Sequence, residues 1–129
     1  MPALNRVELI GRLGRDPETR FTPTGQKVTS FSLAVDRHIK SSDGKVKETT
    51  DWFNVVAWGK LGEICQKFLH KGRLVYIDGR LQTNRYEEKG ETRYSTRVVA
   101  NQMQMLDWPE KEEAEPSVIE AEEEPPAEE

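Results

Sequence analysis

One cysteine, Cys65, is all the thiol the chain has, so no disulfide can form within it and a reducing compartment is its natural setting. No apolar run approaches the roughly 18 residues of a membrane span. The first twenty residues carry Arg6, Glu8, Arg12, Arg15, Asp16, Glu18 and Arg20 in place of a signal-like apolar stretch. A soluble, cytoplasmic protein that avoids membranes is expected. Histidine is nearly as scarce: the two residues, His38 and His70, have no cysteine or carboxylate partners at metal-ligand spacing, and neither HExxH nor CxxC occurs. The glycines of GRLG at 11–14 do not complete a GxGxxG fingerprint, and no Gly-Lys followed by Ser or Thr marks a phosphate loop. No metal, no cofactor and no catalytic constellation is expected, and the chain does not read as an enzyme.

Apolar residues are also few, 35% against 33% charged, where a globular domain averages roughly 45–50% apolar. The shortfall is local. Residues 1–108 hold 18 Lys and Arg against 13 Asp and Glu, a net charge of +5, whereas residues 109–129 hold one lysine and ten glutamates, a net charge of −9. The formal total of −4 therefore hides a basic body joined to an acidic tail. A basic body suits a polyanion, and the tail PEKEEAEPSVIEAEEEPPAEE, with four prolines and only Val118-Ile119 as an apolar pair, is expected to be disordered. One domain over 1–108 and a tail over 109–129 follow.

Within the body, NRVELIGRLGRDP alternates Val7 and Leu9 with Arg6 and Glu8 and ends at a turn around Asp16-Pro17. KVTSFSLAV puts Thr29, Phe31, Leu33 and Val35 on one face and Val28, Ser30, Ser32 and Ala34 on the other, entered through a turn at Pro23-Thr24-Gly25. The polar HIKSSDGKVKETT reads as a loop or hairpin tip at Asp43-Gly44, and DWFNVVAWGK is the third strand. After Gly59 the period becomes helical, with Leu61, Ile64, Cys65, Phe68 and Leu69 on one stripe and a stop at Lys71-Gly72. Cys65 sits on that apolar stripe and reads as a buried thiol rather than a nucleophile. LVYIDGRLQTNRY and RYSTRVVANQMQML are the last two strands, joined by the charged tip EEKGE at 87–91, and Gly79 marks a bulge or sharp bend. Five strands with one helix between the third and fourth is the element order of an all-β OB-fold barrel, whose sheet face binds oligonucleotides.

DWFNVVAWGK carries the functional signal. Alternation puts Trp52, Asn54, Val56 and Trp58 on one face of the strand and Phe53, Val55 and Ala57 on the other. Spacing alone leaves open whether the tryptophans are core or a platform for bases. Asn54 between them and Lys60 beside them favour an exposed face, as do Tyr86, Arg80, Arg85, Arg97 and Lys71 elsewhere in the body. Exposed aromatics among cations suit unstacked bases of a single strand, while no basic recognition helix is present for duplex readout.

The segments NRVELIGRLGRDPETRFTPTGQKVTSFSLAV, TDWFNVVAWGKLGE, FLHKGRLVYIDGRLQTNRY and QMQML resemble the bacterial single-stranded DNA-binding protein family over about residues 4–106. The resemblance implies an OB-fold subunit, a homotetramer, and sequence-tolerant wrapping of single-stranded DNA in replication, recombination and repair, in the cytoplasm with the nucleoid. It places stacking aromatics on Trp52, Trp58 and Tyr86, phosphate-contacting cations on Arg6, Arg20, Lys60, Lys71 and Arg85, and a subunit-interface residue on Phe53. A further family tryptophan has no aromatic counterpart, its place being taken by His38 or Ile39. The family's acidic tail ends in Ile-Pro-Phe, which docks on replication and repair proteins; here the acidic charge is present and the last residues are PPAEE. The alternative reading is an OB-fold protein-interaction module, such as a primosomal accessory protein, that binds its partner without Trp52 and Trp58.

Overall fold

A computed structural model of the chain describes residues 2–107 and 119–120. The five expected strands are present as β1 (Val7–Leu13), β3 (Lys27–Lys40), β4 (Val46–Trp58), β5 (Leu74–Glu88) and β6 (Glu91–Met105), with α1 (Gly59–Phe68) between β4 and β5. Along the sheet they run β1-β5-β6-β4-β3, and β1 pairs also with β3, through Arg12↔Ala34 and Leu13↔Leu33, which closes the barrel. All these pairings are antiparallel except the seam of β4 with β6, parallel at Val55↔Val98 and Val56↔Val99. This is the OB-fold topology that the element order implied.

The barrel interior is filled by the apolar side of each alternating strand. Leu9, Leu13, Phe31, Leu33, Val55 and Ile77 are buried there together with Leu61 and Cys65 from α1. Cys65 is thus a core side chain, and burial pushes its thiol pKa up to about 12. The bend expected at Gly79 is a β-bulge, where the register shifts between Asp78 and Gly79. A Cβ on Gly79 would collide with the Val99 carbonyl, so the two backbones approach there only because the side chain is a hydrogen.

Three expectations are corrected. HIKSSDGKVKETT is mostly strand, because β3 and β4 stay paired out to Lys40↔Val46 and only 41–45 turn. Both faces of this ribbon meet solvent, so it has no apolar alternation to signal it. Four residues after the Asp16-Pro17 turn form a short strand β2 (Glu18–Phe21) on the edge of β3, fixed in part by a 2.8 Å hydroxyl contact between Thr19 and the buried Thr29. The helix ends at Phe68, before Lys71: Leu69 is already extended, while Gly72 adopts the left-handed conformation, φ +89°, in the turn that follows.

Most of the stretch expected to be disordered, 109–129, lies outside the described residues. Within it, β7 (Ile119–Glu120) pairs antiparallel with Gln102 and Met103 of β6. Among the described residues no helix is long and apolar enough to cross a membrane.

Candidate nucleic-acid interface

On the side of the sheet turned away from the core, cross-strand pairing assembles a row. Arg20 of β2 lies opposite Val28 of β3, and Val28 opposite Trp58 of β4. Directly paired residues share a face, so the guanidinium, the valine and the indole stand side by side. Val28, Val56, Trp58 and Val99 pack into a small second apolar cluster on this face. Above it opens a cleft of about 380 Å³ lined by Arg20, Phe21, Thr22, Pro23, Val28, Trp58 and Arg97. Arg97 is oriented by a 2.8 Å bond from its Nε to Gln82 Oε1. The cleft therefore has an apolar floor and an arginine on either side.

Trp52 stands six residues before Trp58 on the same strand and face, roughly 20 Å away at about 3.3 Å per residue. The two indoles differ in depth: Trp52 is 61% exposed, whereas Trp58 is 9% exposed and keeps its Nε1 buried without a hydrogen-bond partner among the described residues. The choice between core and platform thus resolves differently for each. Trp52 stands mostly in solvent; Trp58 is the nearly covered floor of a cleft. The β5–β6 arm continues this surface, since Gln82↔Arg97, Asn84↔Ser95 and Tyr86↔Arg93 share the face of Val99. Tyr86 is 46% exposed.

The model of the single-strand binding protein family matches residues 4–106. The chain belongs to this family. Single-stranded DNA-binding protein 1 of Chlorobaculum tepidum is 50% identical over 105 residues, covering 80% of this chain and 65% of the relative. The single-stranded DNA-binding protein of Clostridium tetani is 50% identical over 111 residues, 84% of this chain and 74% of the relative. Among solved structures, a Plasmodium falciparum SSB complex with ssDNA matches with a TM-score of 0.76 at 29% identity, over 83% of this chain and 98% of that one. A deletion mutant of the single-stranded DNA binding protein from Thermus aquaticus matches at 0.72 and 31% identity, over 81% and 51%. The chain spans 65% of the Chlorobaculum tepidum relative's length and 58–60% of several other curated relatives that it matches.

In this member of the single-strand binding family the expected cations divide. Arg20 borders the cleft, and Lys60 is exposed in the first turn of α1, two residues after Trp58. Lys71 is exposed in the turn before β5, its backbone N–H bonded to Asp16 Oδ1 at 2.8 Å. Arg6 is held by Glu8 at 2.9 Å and Asp78 at 3.0 Å, and these carboxylates, Asp78 foremost, raise its pKa. A phosphate would have to displace them. Arg85 points to the opposite face of the arm from Tyr86, across from Tyr94, which is 66% exposed. Phe53 is half-buried, paired with Leu33 and packed on the core. His38 and Ile39, one of which stands where the resemblance expects a tryptophan, lie on the β3–β4 arm opposite Glu48 and Lys47.

Sequence reasoning assigned no role to Phe21 or Tyr94. Phe21 is 68% exposed on an edge strand and walls the cleft. Its signal was a phenylalanine in an otherwise polar four-residue stretch, too short to show a period.

Proposed function

We propose that the chain binds single-stranded DNA without regard to sequence, by stacking bases on aromatic side chains and neutralising phosphates with arginine and lysine. The observation that carries this reading is the outer sheet face itself, where the exposed Trp52 indole and the arginine-flanked cleft over Trp58 lie on one strand with Tyr86 on the adjoining arm. Trp52 and Tyr86 offer faces for stacking, each worth roughly 1–3 kcal/mol. Trp58 and Phe21 border a recess for one base, and Arg20, Arg97 and Lys60 take the neighbouring phosphates. Arg6 contributes less, because its charge is already paired, and Lys71 and Arg85 act at the margins. Nothing in this mechanism makes or breaks a covalent bond, and it needs neither cofactor nor metal.

In this reading residues 1–108 are the binding domain and 109–129 an acidic appendage that carries the charge of the family's tail without the Ile-Pro-Phe by which that tail docks on replication and repair proteins, so no such docking is assigned to it. Four subunits assemble through surfaces that include Phe53. The role is coating and protecting exposed strands in replication, recombination and repair, in the cytoplasm with the nucleoid. The relatives' names and the Plasmodium falciparum complex support it.

Titrating the protein with oligo-dT should quench its tryptophan fluorescence, and affinity should fall with salt at a log–log slope of about −0.7 per phosphate contacted. Light scattering should report a tetramer for the parent chain and smaller species for Phe53→Lys. Absent quenching, together with equal affinity for duplex, would refute the binding mode.

A further inference from the structure

Gly14 follows β1, and its N–H donates to the Ser32 carbonyl of β3 at 3.0 Å, which holds the chain just past β1 beside β3. The Trp52 side chain reaches the same spot. Trp52 pairs with Ala34, itself paired with Arg12, and its six-membered ring extends over β3 as far as Gly14. A Cβ built on Gly14 would fall well inside van der Waals contact of Trp52 Cζ3 and 3.0 Å from both Trp52 Cη2 and Ser32 Oγ. Gly14 shows no left-handed φ, so its conformation is open to other residues. The missing side chain is therefore a matter of space, and the space is filled by the indole.

We propose that Gly14 is a positioning residue for single-strand binding, a seat that supports one side of the Trp52 ring and holds it as a stacking plate. The proposal rests on the reading of Trp52 as a stacking side chain. An exposed tryptophan joined to the strand by two rotatable bonds has several rotamers, and a plate already in its bound orientation loses less freedom when a base arrives. The atoms an alanine methyl would strike are the far end of this exposed side chain and a serine hydroxyl, both free to swing, so the ring moves while the barrel stays. Gly14 thus acts on binding through Trp52 and contributes little to folding.

The test is a double-mutant cycle on the full chain, with oligo-dT affinity and thermal melting as readouts. Gly14→Ala should leave the melting temperature within a few degrees and weaken binding by about three- to tenfold, less than the roughly 5- to 150-fold loss expected from removing the ring in Trp52→Ala. In a Trp52→Ala background Gly14→Ala should cost nothing further. It should also be tolerated in Trp52→Phe, which lacks the ring atoms that reach Gly14. If Trp52→Ala weakens binding but Gly14→Ala does not, or if Gly14→Ala costs as much with Trp52 absent, the positioning role is wrong and the stacking reading stands. If Trp52→Ala binds as tightly as the parent, the stacking reading fails and the positioning role with it.

Discussion

Trp58 serves two purposes with one side chain. It fills the small cluster of Val28, Val56 and Val99 and also floors the arginine-flanked cleft, at the cost of a buried indole N–H with no partner among the described residues. Such an unsatisfied donor costs about 1–3 kcal/mol, so phenylalanine, which has none, should be accepted. Trp58→Phe should leave stability within about 1 kcal/mol of the parent, whereas Trp58→Ala, which empties the cluster, should cost about 3–5 kcal/mol in urea denaturation. An equal loss in both variants would mean that the indole itself, beyond the apolar volume phenylalanine supplies, holds the cluster together. Alternation in DWFNVVAWGK sufficed to put both tryptophans on one face of the strand, yet it could not make that face the outer one or set their depth. Depth depends on what stands across the neighbouring strands: Ala34 leaves Trp52 open, while Val28 and Val99 help to wall in Trp58.

At the level of elements, helix α1 packs Leu61 and Cys65 into the barrel, and that packing should be readable by titration. The folded thiol is held neutral with a pKa of about 12, against 9.0 for the free group, so between these values the folded state keeps a proton that the unfolded chain releases. Stability from this group is complete below pH 9 and is lost as pH rises toward 12. Urea melts at pH 8 and pH 10 should therefore show a smaller drop for Cys65→Ala than for the parent, by up to about 1.4 kcal/mol per pH unit above the lower pKa. Identical drops would mean the thiol is not protected. The helix and the five long strands were legible in the sequence because each buries one stripe or face. The β3–β4 ribbon beyond the barrel and the edge strand β2 were not, since main-chain pairing holds them and their side chains mostly face water. The candidate site was legible in the same measure: Trp52, Trp58, Tyr86 and Arg20 share its surface, while Arg6 is tied to Glu8, two residues away, and to Asp78, 72 residues away, and the distant one is readable as a partner only once β1 and β5 are paired.

Across the whole molecule the dominant feature is the charge split, +5 over 1–108 and −9 over 109–129. By charge, ten glutamates tethered to a basic body should compete with a polyanion for it, and salt should screen the competition, with a Debye length of about 30 Å at 0.01 M falling to about 8 Å at 0.15 M. Removing residues 109–129 should therefore raise affinity for oligo-dT several-fold near 0.01 M salt and have little effect above about 0.3 M. Equal affinity of the two forms at low salt would show that the acidic segment does not reach the interface.

Barrel closure also governs when this chain can fold. Strand β1 finds its long partner only in β5, with Val7 opposite Gly79 and Arg12 opposite Leu74. During synthesis Val7 to Gly11, which β3 does not pair, must wait unpaired until residues 75–79 have left the ribosome. Pairings of such sequence separation are slow to form, and an unpaired apolar strand is prone to aggregate in the interval. The charges that interrupt β1, Glu8 and Arg12, keep that waiting strand soluble as well as decorating the finished barrel.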